Sequence, residues 1–454
     1  MRVKHHRFET VARMTLDEQR SHPGILLGGG PGGWTWSGHQ RSALILGPTR
    51  SGKTTSFIIP NVLSATGAVV STSTKPDVMR QTARARSAHG TCLLFDPSGT
   101  LRPPSGVERI GWSPMTAAHR WDGALDISRA MVAASRSVSA RAGGFLDHWT
   151  ERAGALLAPL LHAAALTRAP MSEVLSWVDH KRPTPALDIL EGEHGPHHPA
   201  TGLLVGIATT DQREQSGIWS TTAGVLGAYR SLGALDSTAG VQLDAASFVE
   251  GSHTLFIAAP GRNQSQLAPL VVGLLSEIQD AAYRRSNQNR PVLFALDELA
   301  NIAPLPDLAS VVSEGGGQGL LTLGCLQDLS QARARWGAEA DGFLSLFSST
   351  VVLGGVADPR TLKTLSDLAG LVPAERPGRS ISRSRRSGLS SSSSVSTALE
   401  HRLPPDQIAR GVTGHGLLLD AANEIGWVPL TISWRDDPWR LELQRGSIGL
   451  DLTR

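Results

Sequence analysis

The run Ser42-Ala43-Leu44-Ile45-Leu46-Gly47-Pro48-Thr49-Arg50-Ser51-Gly52-Lys53-Thr54-Thr55-Ser56-Phe57-Ile58-Ile59 decides the fold. An apolar segment short enough for a buried strand enters it, and an apolar helix start leaves it. Between them stands G-x-x-x-x-G-K-[ST], a phosphate-binding loop in its confirming strand-to-helix context. Its glycines let the chain wrap closely round an anion, with backbone N–H groups pointing inward at a helix mouth whose dipole favours negative charge. Lys53 is placed to reach the β- and γ-phosphates and Thr54 to hold Mg²⁺ through its hydroxyl. Gly47, Pro48, Thr49, Arg50, Ser51, Gly52, Lys53, Thr54 and Thr55 are therefore the expected cradle of ATP.

Working outward, the pattern is that of a parallel α/β sheet, with strand-like runs alternating with helical ones. Gly67 to Ser73, Thr91 to Phe95, His253 to Pro260, Pro291 to Glu298, Leu320 to Leu326 and Thr350 to Gly355 read as strands. Gly416 to Leu419 and Trp427 to Ser433 are expected to complete the sheet. Residues 1–40 read as a polar lead-in that ends in the glycine-rich turn Gly28 to Gly33. Between residues 115 and 240 the β-branched runs give way to Ala- and Leu-rich helical periodicity, the signature of an all-α domain inserted into the sheet domain (41–114 and 241–454). The loop His194-Gly195-Pro196-His197-His198 lacks Cys or acidic partners at ligand spacing and reads as a solvated turn. Residues 376–397 are serine- and arginine-rich low-complexity sequence and read as a flexible loop.

The strand Val292-Leu293-Phe294-Ala295-Leu296 ends in Asp297-Glu298. A buried strand delivers the first acid rigidly towards the phosphate loop, where it can hold the Mg²⁺ water shell. The second is placed to orient and deprotonate an attacking water, which hydrolysis requires. A third strand ends at Gln327-Asp328: Gln327 is a candidate contact of the γ-phosphate or lytic water, and Asp328 fits a cap for the helix that follows. The catalytic candidates are thus Lys53, Glu298 and Gln327, and the metal candidates Thr54 and Asp297.

At 454 residues, 40% hydrophobic and 18% charged, the chain has the composition of a soluble globular protein of two or three domains. Its formal net charge is +3, a mild hint of a polyanionic partner. The cations are nearly all arginine; lysine occurs only at Lys4, Lys53, Lys75, Lys181 and Lys363, so one of the five serves the phosphate loop. Cys92 and Cys325 lie in apolar runs and read as buried small hydrophobes, which fits a reducing cytoplasm. No stretch reaches the ~18 apolar residues of a membrane span, and the basic start is not followed by the apolar segment of a signal peptide.

Together these residues resemble the type IV coupling proteins, the TraG/TraD-like ATPases of conjugative DNA transfer, over residues 44–434. The likeness rests on the phosphate loop, Ser73-Thr74-Lys75-Pro76-Asp77, Trp112-Ser113-Pro114, Leu296-Asp297-Glu298-Leu299, Leu326-Gln327-Asp328-Leu329-Ser330-Gln331 and Leu403-Pro404-Pro405-Asp406. It implies a RecA-like motor with an all-α domain facing the cytoplasm, a homo-hexameric ring, and ATP hydrolysis at subunit interfaces. Its implied partners are single-stranded DNA bound to a relaxase, the relaxosome and the components of a type IV secretion channel. It also implies a cytoplasmic position at the inner face of the membrane.

Two features depart from that family. Many family members begin with transmembrane helices and this sequence shows none, so the anchor is expected to be missing or supplied by another subunit. The segment 313–319, where relatives carry an arginine finger, has no arginine, leaving Arg333, Arg335 or Arg360 as candidates. Two other functions remain open from the residues alone: a secretion ATPase that moves protein effectors without touching DNA, and a docking platform that binds nucleotide only to hold a shape.

Overall fold

The computed structural model describes residues 24–30, 33–135, 145–259, 264–384, 388–420 and 423–447. Its strands, in chain order, are β1 (Leu26–Gly30), β2 (Gly33–Trp36), β3 (Ala43–Leu46), β4 (Val69–Ser73), β5 (Cys92–Phe95), β6 (Val107–Arg109) and β7 (Thr254–Ala258). They continue with β8 (Val292–Leu296), β9 (Leu320–Leu326), β10 (Ser349–Val352), β11 (Leu371–Ser384), β12 (Gly388–His401), β13 (His415–Asp420) and β14 (Asn423–Pro429). Ten of them form one sheet in the order β14-β13-β10-β3-β9-β8-β4-β7-β5-β6. From β10 to β6 every neighbour is parallel. At the other edge β13 and β14 are antiparallel.

The near-continuous apolar runs of β3, β8 and β9 are what a sheet covered on both faces demands. The period of two assigns their side chains to separate cores. Ala43 and Ile45 of β3, with Leu293 and Ala295 of β8, pack beneath Phe57, Ile59 and Val62. Leu44 and Leu46, with Phe294 and Leu296, face the second core together with Leu270 and Leu274 of the Gln264–Arg285 helix. A π-helical turn, Thr54–Ile58, leads from the phosphate loop into the Ile59–Ser64 helix on the first face. Asn61 in that helix is buried. Its Oδ1 accepts from Leu26 N at 2.7 Å, and its Nδ2 donates to the Leu26 and Phe57 carbonyls at 3.0 and 2.8 Å, docking β1 onto the helix.

Between β6 and β7 the described elements are all helical, from Met115–Ala118 to Ala245–Glu250, with Phe145–Thr167 the longest. They join the second core of the sheet, and the fully buried Trp112 ties them to the Gln264–Arg285 helix by donating from Nε1 to Glu277 Oε2 at 2.7 Å. No described helix is long and apolar enough to cross a membrane.

Two local expectations, the serine-rich loop and the end of the last strand, are corrected, and two others gain detail. The serine-rich stretch read as a flexible loop is two paired strands, β11 and β12, in register from Leu371↔His401 to Ser384↔Gly388. Serine runs carry neither apolar alternation nor strong strand propensity, so the ladder left no trace in the pattern. The glycine-rich turn is largely the β1–β2 hairpin, and the tip residues Pro31 and Gly32 lie outside the described residues, as does most of the lead-in. The last strand spans Asn423–Pro429 instead of reaching Ser433. The loop at 194–198 is largely exposed, as expected of a solvated turn; within it the His194 and His198 rings stack at 4.2 Å between centroids, and His194 Nε2 lies 3.0 Å from Nε2 of the buried His162.

Candidate nucleotide site

Parallel pairing puts the carboxyl ends of β3, β9 and β8 side by side, where open α/β sheets bind their ligands. Leu46 pairs with Leu326, and Leu296 with Gly324, so Gly47, Gln327 and Asp297 emerge from one edge although they come from distant parts of the chain. Gly47 N donates to Leu326 O at 3.1 Å, closing the loop onto β9. A Cβ on Gly47 would lie 2.7 Å from Ser51 Oγ and 3.0 Å from Leu353 Cβ, so a larger residue would have to displace the Ser51 hydroxyl and press on Leu353. Gly52 has φ +97°, a conformation L side chains rarely adopt. Arg50 takes φ 64° between them, a left-handed turn at a non-glycine residue.

Lys53 is buried, and its Nζ donates to the Gly47 and Pro48 carbonyls at 2.5 and 2.8 Å, which holds the ammonium at the loop mouth. Pro48 itself abuts Gly355 beyond β10. Thr55 Oγ1 donates to Gly52 O at 3.2 Å, and its own carbonyl accepts from Ser433 N, so the C-terminal segment braces the loop. Thr54 Oγ1 donates to Asp297 Oδ2 at 2.8 Å, joining the phosphate loop to the end of β8. Burial raises the Asp297 carboxyl above its ordinary range, and the neighbouring Glu298 adds to the rise; the Thr54 hydroxyl and Lys53 oppose it. The Ser51 hydroxyl is buried with no hydrogen-bond partner among the described residues. An ammonium, inward-turned glycine backbone and an orphan hydroxyl suit phosphate oxygens, while a hydroxyl and carboxylate in contact are the hard oxygen donors Mg²⁺ takes. The residues present fit a Mg²⁺-bound nucleotide.

Glu298 also takes a left-handed conformation, φ 66° and ψ 46°, which costs a non-glycine residue about 1–2 kcal/mol. That turn sets its side chain apart from Asp297: Glu298 Oε2 accepts from Asn301 Nδ2 at 3.1 Å. At the end of β9, the Gln327 backbone N–H donates to Gln331 Oε1 at 2.8 Å. Asp328 caps the Leu329–Trp336 helix through Ser330 N at 2.8 Å. Asn301 and Gln331 were not singled out in the sequence. The only signal was their spacing, three and four residues beyond Glu298 and Gln327, where a helical turn brings side chains back. Thr72 was missed too: its hydroxyl donates to the Asp297 carbonyl at 3.2 Å.

The three arginines considered as fingers are engaged elsewhere within the chain. Arg333 pairs with Asp358 at 2.5 Å, and Arg360 donates to both oxygens of Asp341 at 2.9 Å. Arg335 is buried and donates to Ala134 O at 2.6 Å.

Known proteins place this architecture. Conjugal transfer protein TraG of Escherichia coli is 25% identical over 317 residues, covering 64% of this chain and 49% of TraG, so the chain spans about half the length of that relative. The bacterial conjugative coupling protein TrwBdeltaN70, solved with sulphate, superposes with a TM-score of 0.67 at 20% identity, covering 87% of this chain and 86% of that one. A second structure of the plasmid coupling protein TrwB, in complex with ADP and Mg²⁺, gives 0.64 at 19% identity over 87% and 85%. The RecA-like α/β core with a helical domain is therefore shared with TrwB. The family described as "Type IV secretory system Conjugative DNA transfer" matches residues 3–411, and the chain belongs to that family.

Proposed function

We infer that the chain is the ATP-hydrolysing coupling motor of conjugative DNA transfer, recruiting or driving relaxase-bound single-stranded DNA towards a type IV secretion channel. The observation that carries the reading is the 2.8 Å bond from Thr54 to Asp297, which joins phosphate loop and strand end into one site beside a second carboxylate. Membership of the family and the TrwB complex with ADP and Mg²⁺ support it.

In this reading the backbone from Gly47 to Thr55 wraps the phosphates, and Lys53 turns from the loop carbonyls to the β- and γ-phosphate oxygens. Thr54 and Asp297 hold Mg²⁺, which when bound neutralises charge on the phosphate oxygens. Glu298 orients the attacking water and takes its proton, and Gln327 contacts the γ-phosphate or that water. Six copies form the ring, and each site is completed by its neighbour. An arginine in trans has to be released from its present pair, and Arg360, whose partner Asp341 is also exposed, is the least costly of the three to release.

The test is ATP turnover by the wild-type chain and by Glu298→Gln, with and without single-stranded DNA. Turnover is expected to fall by about 10²–10⁴ in the variant while nucleotide affinity stays within about twofold. Equal turnover in the two proteins would overturn the assignment.

A further inference from the structure

A cleft of about 1090 Å³ lies between the inserted helices and the sheet domain, at or above the upper end of the small-molecule range of roughly 300–1,000 Å³. Its walls come from the ends of the Trp121–Ser135 and Gln264–Arg285 helices, the Leu226–Arg230 turn, Asn301 and the Leu329–Trp336 helix. Among the described residues its lining contains Arg230 and Arg335 and no aspartate or glutamate. The remaining polar groups are amides and hydroxyls such as Ser135, Gln266, Asn301 and Gln331, and the gaps between them are alanine and glycine. Arg230 is held in place by Asp179 and the Ala223 carbonyl, leaving other guanidinium donors of its five for the cleft. Arg335 fastens its helix to Ala134 across the cleft.

Two of these lining side chains are the ones that grip the hydrolytic residues. Asn301 Nδ2 donates to the Glu298 carboxylate at 3.1 Å, and Gln331 Oε1 accepts from the Gln327 N–H at 2.8 Å. An anionic occupant of the cleft can therefore draw on the Asn301 donor that restrains Glu298.

The geometry points to this cleft as a binding site for the phosphodiester backbone of a nucleic-acid strand, with Asn301 as the positioning residue that reports its presence to the ATP site. It rests on the motor reading above and deepens it. Cationic and amide donors without carboxylates select an anion. Among the described residues the lining has no aromatic side chain on which bases could stack, so recognition runs through phosphates and is indifferent to sequence. A phosphate oxygen that accepts from Asn301 Nδ2 takes the donor now bonded to Glu298, which frees that carboxylate to turn to the attacking water. DNA binding thereby accelerates hydrolysis without altering the phosphate loop.

The test uses the full chain and a fluorescent oligo-dT strand, read by anisotropy without nucleotide and by ATP turnover. Ser265 and Gln266 are exposed in the first turn of the Gln264–Arg285 helix, where acidic residues favour the helix, so Ser265→Glu with Gln266→Glu keeps the fold. This pair is expected to weaken oligo-dT binding at least about tenfold and to flatten its salt dependence. Asn301→Ala is expected to weaken oligo-dT by only about two- to fivefold, the loss of one phosphate contact among several, while the ratio of DNA-stimulated to basal turnover at saturating oligo-dT falls towards one because Glu298 is already released. Unchanged oligo-dT affinity in the acidic pair, or no oligo-dT binding by the wild-type chain, would overturn the site. An unchanged stimulation ratio in Asn301→Ala would overturn the positioning role. A wild-type chain that binds oligo-dT through the cleft yet hydrolyses no ATP would sink the motor reading and leave the binding site standing.

Discussion

Glu277 offers a test of how the inserted helices are held to the sheet domain. Its carboxylate lies on the Gln264–Arg285 helix under Trp112, whose indole N–H donates to it at 2.7 Å. Burial raises the carboxyl from 4.5 to about 7; the Trp112 bond opposes the rise, Asp280 adds to it, Arg284 opposes it and Asp244 adds to it. The folded chain thus holds this proton more tightly than the unfolded chain. The stability the group contributes is complete below about pH 4.5 and is lost as pH climbs through about 7. The displacement from 4.5 to about 7, at about 1.4 kcal/mol per pH unit, makes the ionised form about 3 kcal/mol worse in the fold. Glu277→Gln keeps an oxygen for the indole and has no proton to lose. Urea unfolding of both proteins, followed by tryptophan emission, should show the variant gaining about 2 kcal/mol on the wild type between about pH 5 and pH 8. A difference that stays flat across this range, or a variant less stable at the higher pH, would refute the claim that Glu277 is desolvated at this junction.

Two further substitutions separate packing from ligand effects. Asn61→Ala removes the acceptor for Leu26 N and the donor for two buried carbonyls, so thermal or urea unfolding should show a loss of about 2–4 kcal/mol; an unchanged midpoint would mean β1 is not docked through this side chain. Gly52→Ala meets nothing closer than 3.6 Å, so its cost is the φ of +97° alone. At about 1–2 kcal/mol that strain should lower nucleotide affinity about tenfold if the loop relaxes away from its cradle shape, measured by titration with a fluorescent nucleotide. Wild-type affinity in this variant would mean the loop holds nucleotide in another conformation.

The phosphate loop was legible because its chemistry is local: glycines, a lysine and a threonine at set spacing leave a strand-to-helix turn few alternatives. Asp297 was legible for a related reason, since an apolar run that stops on an acid can only be a buried strand reaching a polar edge. That these two would touch was not local information. It depends on β9 lying between β3 and β8, and a slip of one residue would turn Asp297 away from the edge that carries Thr54. Arg86 shows the opposite limit. The Asp77–Ser87 helix that carries it is polar in sequence, yet Arg86 is 1% exposed. Its guanidinium donates to Thr254 Oγ1 and to the carbonyls of Ala65, Gly67 and Ser252. An arginine that pairs with backbone oxygens needs no acidic residue at any spacing, so no charge pattern announces it. The same reasoning applies to Asn301 and Gln331. Uncharged amides on short helices look like surface residues until the sheet order brings the strand ends together, and only then do they stand between a cleft and Glu298 and Gln327, the two residues proposed to act in hydrolysis. Side chains whose partners are fixed by strand order carry their meaning in the fold, and the coupling between DNA and ATP proposed for this chain runs through residues of that kind.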